Sequence, residues 1–161
     1  KNKMYNFRMD RIIVKTPIGK IAVSYESDFV TEVQQVADQT RPNKNKDPLA
    51  LEIQKQFNAY FTKDLSEFNL PFLFKRGTDY QVKVWDQIRK ISFGETKTYG
   101  DIAKKIKSGP RAVGNACRRN KLLLLVPCHR VVSASGLGGF MGDDTGRLVQ
   151  RKQWLLNHEQ I

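Results

Sequence analysis

Val126-Pro127-Cys128-His129-Arg130 sets a thiol directly before an imidazole and a guanidinium. A thiolate is a strong nucleophile, and a neighbouring imidazole or positive charge lowers the pKa of its parent thiol. Cys128 is therefore a candidate nucleophile with a candidate base, His129, beside it. In a straight strand the two side chains would point to opposite faces. They cooperate only if Pro127 turns the chain or a water bridges them. A third group must hold the imidazole, and Glu159 is the best-placed carboxylate by helix context. Read locally, Cys128 is either this nucleophile or an inert buried thiol. Cys117 sits among Ala116 and Val113 and reads as a core thiol. Two cysteines imply no disulfide framework and a reducing cytoplasm. Two cysteines and two histidines without paired spacing make no four-ligand zinc site, so neither metal nor cofactor is expected.

These residues need elements to carry them. Leu122–Val126 is apolar throughout and reads as a buried strand delivering Cys128. Upstream, Thr78-x-x-Gln81 is a capping box. Val84, Trp85, Ile88 and Ile91 follow at helical spacing, and Gly94 ends that helix. Thr98 caps a short helix with Tyr99, Ile102, Ala103 and Ile106. Ser108-Gly109-Pro110 turns into a further helix, Arg111–Arg119. Two short helices joined by a Gly-containing turn are the pattern of a helix-turn-helix. The second carries Ala112, Gly114 and Ala116, small residues that let its backbone approach a partner closely. Ser133–Gly146 is a Gly-rich loop, and a last helix holds Leu148, Val149, Leu155 and Leu156.

The first part of the chain reads as a small sheet. Arg11–Val14 is β-branched, Thr16-Pro17-Ile18-Gly19 is a turn, and Lys20–Tyr25 returns with Ile21, Val23 and Tyr25 on one face. Phe29–Gln34 adds a third strand. Asp47-Pro48 starts a helix with Ile53, Phe57, Tyr60 and Phe61 on one side. Thr62–Gly77 is irregular and is the candidate linker. The expected division is residues 1–77, a sheet and helix, and residues 78–161, mainly helical. The fold class is α/β of the α+β kind.

The 161 residues, 40% apolar and 27% charged, suit one globular domain or two of about 80 residues each. No apolar run nears the ~20 residues of a membrane span, so no membrane is expected, and Lys1–Asp10 has no signal-peptide apolar core. Net charge is +12, a polyanion binder's balance. The excess is uneven, since Ile102–Gly142 holds eight bases and no acid. By composition alone this is either a nucleic-acid surface or a solvated basic face.

Val126-Pro127-Cys128-His129-Arg130-Val131-Val132 resembles the active-site signature of the O6-alkylguanine-DNA alkyltransferases. Arg111-Ala112-Val113-Gly114, Thr98-Tyr99-Gly100-Asp101-Ile102-Ala103, Gly77-Thr78-Asp79-Tyr80-Gln81, Thr16-Pro17-Ile18-Gly19 and Trp154-Leu155-Leu156-Asn157-His158-Glu159 resemble other segments of that family, in the same order. The likeness is close over 78–159 and loose over 10–75. It implies a ribonuclease H-like first domain and a second domain with a winged helix-turn-helix. The implied activity is direct-reversal DNA repair. An alkyl group moves irreversibly from O6-alkylguanine in double-stranded DNA to the protein, once per molecule, with O4-alkylthymine left open as a substrate.

The resemblance also implies roles. Cys128 takes the alkyl group, His129 acts through a water as its base, and Glu159 orients His129. Arg111 enters the base stack and holds the space of the everted nucleotide. Tyr99 bears on the 3′ phosphate and donates to guanine N3. Asn120 is the hinge between recognition helix and active-site segment, and the carbonyls of Cys128 and Val131 take the guanine amino group. Ala112, Gly114 and Arg118, with Phe140 and Met141 of the Gly-rich loop, complete the substrate and DNA surface. Without the family, Arg111 reads as a surface arginine, Tyr99 as a core aromatic and Asn120 as a helix C-cap. The expected protein is a monomer, with cooperative binding along DNA left open. It is cytoplasmic: nucleoid-associated if bacterial, nuclear if eukaryotic. Lys121 departs from the family's usual proline and Phe140 from its usual tyrosine. The turn between Tyr99 and Arg111 is shorter than in some relatives, and the zinc-binding cysteines of some N-terminal domains are absent. Two other classes remain: a Cys-His-Glu hydrolase with an oxyanion hole in Gly136–Gly139, and a non-catalytic DNA-binding or lesion-sensing module.

Overall fold

The computed structural model describes residues 10–43, 45–139 and 146–160. The chain divides into two compact units, Lys1–Leu73 and Phe74–Ile161, and the division falls inside the stretch 62–77 read as the linker. The fold is mixed α/β, as the sequence pattern predicts, with a small antiparallel sheet in the first unit and mainly helices in the second.

The first unit is a meander of β1 (Asp10–Thr16), β2 (Gly19–Glu26) and β3 (Phe29–Gln35), followed by α1 (Pro48–Phe61). Thr16 pairs with Gly19, so Pro17 and Ile18 form the tight turn. The Thr16 hydroxyl donates to the Gly19 carbonyl (2.6 Å) and accepts from the Ile18 N–H (3.2 Å). Ile21, Val23 and Tyr25 of β2 are buried as expected, and so are Ala22 and Ser24 on the opposite face. Asp47 caps α1 by accepting from the Ala50 N–H (3.0 Å), and Pro48 takes the first helical position, where no donor is needed. Asp47 also accepts from the Tyr25 hydroxyl, which ties the helix start to β2. Ile53, Phe57 and Tyr60 are buried, and Phe68 closes over the last two, with ring centroids 4.9 and 5.2 Å away. The chain then returns beside β3, where Val30 exchanges backbone bonds with Pro71 and Leu73.

The second unit begins with α2 (Asp79–Ile88), capped reciprocally by Thr78 and Gln81. The helix stops at Ile88, not at Gly94 as the pattern suggests. Lys90 and Ile91 bond back three residues in tightening turns, which frees the Ile91 carbonyl for the buried Arg130. Val84 and Ile88 are fully buried, and burial of such side chains contributes roughly 1.5–3 kcal/mol each. The Trp85 indole donates to the Ala116 carbonyl (2.9 Å) and joins α2 to the helix that follows the turn. β4 (Lys97–Thr98) runs into α3 (Tyr99–Lys105), whose start is closed by a Thr98–Asp101 capping box. After Ile106–Gly109 comes α4 (Pro110–Arg118), with Pro110 at its first position. α3 packs on α4 and α2 on both, so the two short helices form the expected helix pair. β5 (Val131–Val132) lies parallel to β4, and α5 (Arg147–His158) ends the unit.

Candidate active site

The segment before the cysteine is a turn, not the strand expected from its five apolar residues. Leu122–Val126 is buried throughout, but Val126 N–H bonds to the Leu122 carbonyl (2.9 Å) and Leu124 has φ +71°. A leucine in the left-handed region is held there by its surroundings, and here the clamp is Asn120. Its side-chain oxygen accepts from Leu122 N–H (2.8 Å) and its amide nitrogen donates to the Val126 carbonyl (2.9 Å). That same amide lies 3.2 Å from Cys128 Sγ. Asn120 thus closes the turn and touches the thiol, a larger part than a helix C-cap.

Pro127 delivers the chain into a single 3-10 turn, Cys128–Arg130. Both Cys128 and His129 are buried. The turn removes the strand geometry that would have aimed them at opposite faces. His129 Nε2 lies 2.7 Å from Glu159 Oε2, so the carboxylate orients the imidazole. With Nε2 carrying the proton toward Glu159, Nδ1 is the basic nitrogen. It is buried and has no hydrogen-bond partner among the described residues. Burial holds His129 below its usual pKa, against the opposite pull of Glu159, so the ring is neutral at pH 7. Burial would raise the Glu159 pKa, but the hydrogen bonds and charges of His129 and Arg130 outweigh it and bring it to about 2.

Arg130 is not a surface base. Its Nε and Nη2 donate to Glu159 (2.7 and 3.0 Å), and its Nη1 donates to the Ile91 carbonyl (2.7 Å). A fork of this kind fixes the carboxylate geometrically as well as electrostatically. The other seven bases of Ile102–Gly142 are exposed on α3, α4 and their flanks: Lys104, Lys105, Lys107, Arg111, Arg118, Arg119 and Lys121.

Cys128 differs from expectation in one respect. Its pKa is raised, first by hydrogen bonding with the Cys117 thiol and then by burial, while Asn120 and Lys152 pull it down. The resting group is a thiol and needs a base to react. Cys117, read from the sequence as a core thiol, is half-buried. The residue the sequence reading missed is Lys152. It is fully buried on α5, and its Nζ donates to the carbonyls of Val131 (2.6 Å) and Gly139 (2.8 Å). Burial lowers its pKa to about 8. The signal was available: Lys152 precedes Leu155 by three residues, on the apolar side of α5.

Tyr99, the first residue of α3, is half-buried, and its hydroxyl lies 3.4 Å from the Gly139 carbonyl. Its ring backs onto Gly114 and Gly138. A Cβ at Gly138, which has φ +74°, would stand 3.1 Å from the ring. Arg111 is exposed on the first turn of α4, and Arg118 is exposed at its end, with Asn115 between them on the same face. Ala112 and Gly114 are half-buried. The Val131 carbonyl already accepts from Lys152, and that of Cys128 from Val131 N–H; each keeps a second lone pair. Phe140 and Met141 lie outside the described residues.

Residues 79–161 match the family model described as 6-O-methylguanine DNA methyltransferase, DNA binding domain. The methylated-DNA–protein-cysteine methyltransferase (constitutive) of Bacillus subtilis is 35% identical over 158 residues, covering 91% of this chain and 93% of the relative. The protein of the same name from Mycobacterium tuberculosis is 37% identical over 154 residues, covering 91% and 90%. The crystal structure of the Mycobacterium tuberculosis O6-methylguanine methyltransferase superposes with a TM-score of 0.80 at 34% identity, over 95% of this chain and 93% of that one. That of Mycobacterium tuberculosis OGT in complex with DNA does so at 0.78 and 35%, over 92% of each. With a thiol, its carboxylate-held histidine and an exposed basic helix pair in one unit, and likeness along nearly the whole chain, the protein belongs to the 6-O-methylguanine DNA methyltransferase family.

Proposed function

We propose that the protein repairs O6-alkylguanine in DNA by direct reversal, with Cys128 as the acceptor of the alkyl group. The observation that carries the reading is the buried thiol followed along the chain by a buried imidazole whose Nε2 is held by a carboxylate. In the proposed step His129 Nδ1, through a water, takes the Cys128 proton, and the sulfur attacks the alkyl carbon in line with the C–O6 bond. The S–C bond forms and the O6–C bond breaks. Its electron pair stays on guanine, which recovers the thiol's proton and is restored. Lys152 adds positive charge near the thiolate.

The alkyl carbon is out of reach inside a duplex, so the nucleotide must be everted, at a cost of a few kcal/mol. Arg111, exposed at the start of α4, fills the gap and offsets part of that cost. Tyr99 bears on the 3′ phosphate and donates to guanine N3, and the free lone pairs of the Cys128 and Val131 carbonyls take the guanine amino group. Ala112 and Gly114 let the α4 backbone approach the DNA, and Arg118 and its exposed neighbours hold phosphates. Thiol, base and carboxylate come from one chain, so a monomer suffices. Among the described residues no helix is long and apolar enough to cross a membrane. A free acceptor thiol suits a reducing compartment that holds DNA. The test is a duplex with a radiolabelled O6-methyl group: label should move to protein, survive denaturation and digest into the peptide containing Cys128. Label released to solvent instead would refute the acceptor role.

A further inference from the structure

Helix α2 holds α4 near both of its ends. At the far end the Trp85 indole donates to the Ala116 carbonyl (2.9 Å). At the near end the Tyr80 and Ser108 hydroxyls share a hydrogen bond of 2.7 Å between residues 28 positions apart. Tyr80 stands in the first turn of α2, and Ser108 in the connection 106–109 between α3 and α4. That connection has soft points on both sides of Ser108. Lys107 occupies the left-handed region (φ +55°). Gly109 caps α4 without a side-chain bond, and a Cβ on it would meet no described atom within 4 Å. Ser108 is the fixed point between them. Its N–H bonds back to the Ala103 carbonyl of α3 (2.9 Å), and its hydroxyl is tied to α2 by Tyr80. Only Gly109 and Pro110 separate it from Arg111, and the proline ring locks one of the intervening torsions. The place of Arg111 is thus set from Ser108 onward.

We propose that Tyr80 is a positioning residue: through Ser108, its hydroxyl holds Arg111 where that side chain fills the gap left by the everted nucleotide, a role that rests on Arg111 being the gap-filling residue. Freed from Tyr80, the connection samples other shapes, and Arg111 is in place in a smaller fraction of the complexes. A rate that needs Arg111 in place falls with that fraction. The bond is neutral and both residues are half-buried, so water can replace either partner. The effect is therefore graded, about fivefold for one such bond. Two other quantities stay put. Lys104, Lys105, Arg118 and Arg119 lie outside the connection, so phosphate contacts and duplex affinity do not depend on it. Free O6-benzylguanine needs no eversion and leaves no gap to fill.

Tyr80→Phe deletes the hydroxyl and keeps the ring. Single-turnover repair of duplex carrying O6-methylguanine, measured with the duplex fully bound, should slow about fivefold. Duplex Kd and the rate with free O6-benzylguanine should both stay within about twofold of wild type. Ser108→Ala should reproduce the slowing, and the two changes together should be no slower than either alone. Made in the Arg111→Ala protein, Tyr80→Phe should slow duplex repair no further, because the group it positions is gone. A bond that only keeps the unit folded would slow both substrates alike and would slow the Arg111→Ala protein again; either result overturns the proposal. So does a wild-type rate on bound duplex, with or without a weaker Kd. Arg111→Ala by itself separates the two levels. If it repairs duplex at the wild-type rate, the gap-filling role fails and the positioning role falls with it. A slow Arg111→Ala beside a normal Tyr80→Phe refutes the positioning role alone. Should Tyr80→Phe not fold, Ser108→Ala decides by the same measurements.

Discussion

Replacing Glu159 with glutamine keeps the shape of the side chain and removes its charge. The carboxylate is 1% exposed and takes hydrogen bonds from His129 Nε2, Arg130 Nε and Arg130 Nη2 at 2.7, 2.7 and 3.0 Å. These partners bring its pKa from 4.5 to about 2. One pKa unit is worth about 1.4 kcal/mol, so the charge is held in the folded state by about 3 kcal/mol. Neutralising one partner of a buried ion pair, which leaves Arg130 unmatched, costs about 3–5 kcal/mol by independent reckoning. A carboxylate depressed on folding adds stability that is complete above its unfolded pKa and is lost as pH falls through its folded one. The window here runs from 4.5 down to about 2. The E159Q variant should therefore be less stable than wild type by about 3 kcal/mol at pH 7. By pH 3 that gap should shrink to less than half. Urea unfolding followed by tryptophan fluorescence reads this directly, because Trp85 and Trp154 both belong to the second unit. A gap below about 1 kcal/mol at pH 7 would refute the reasoning, as would a gap independent of pH. The variant should also transfer alkyl groups at least about 100-fold more slowly, the lower range for losing an oriented general base.

Cys128→Ala should abolish alkyl transfer and leave DNA affinity within about twofold, because the exposed bases do not depend on the thiol; equal loss of both, in a folded variant, contradicts the division. Arg111→Ala should slow repair of alkylated duplex far more than reaction with free O6-benzylguanine, which needs no eversion, and single-turnover rates on the two substrates compare them. DNA affinity should fall steeply as salt rises and depend little on sequence. Replacing Lys104 or Arg119 should flatten that salt slope, and a slope unmoved by both would place the DNA elsewhere.

Sequence legibility followed how local each cause is. Asp47-Pro48, Thr78-x-x-Gln81 and Thr98 announced three helix starts correctly, because a cap is a side chain bonding to backbone two or three residues away. The expected pairing of His129 with Glu159 came from residue types and from the family likeness, and the structure brings the two together. Leu122–Val126 was misread because its apolar content reports burial and not conformation. The left-handed Leu124 depends on the Asn120 clamp, which no propensity encodes. Arg130 and Lys152 were misread or missed for a different reason. A long cation counts as surface until its partners are known, and those of Arg130 lie 29 and 39 residues away. The hydrolase and non-catalytic alternatives, both compatible with a Cys-His-Glu set or a basic face taken alone, give way to the family membership.

The central claim is that Cys128 is consumed. Its product is a thioether, which offers water no good leaving group, and Cys117 cannot displace a carbon–sulfur bond by exchange. Titrating a fixed amount of protein with duplex carrying O6-methylguanine, and counting repaired strands against the intact mass of the protein, tests this most directly. Repair should stop at one strand per protein, and every protein should gain the mass of one methylene, mapped to the peptide containing Pro127-Cys128-His129. Repaired DNA accumulating beyond one equivalent, with Cys128 recovered unmodified, would contradict it.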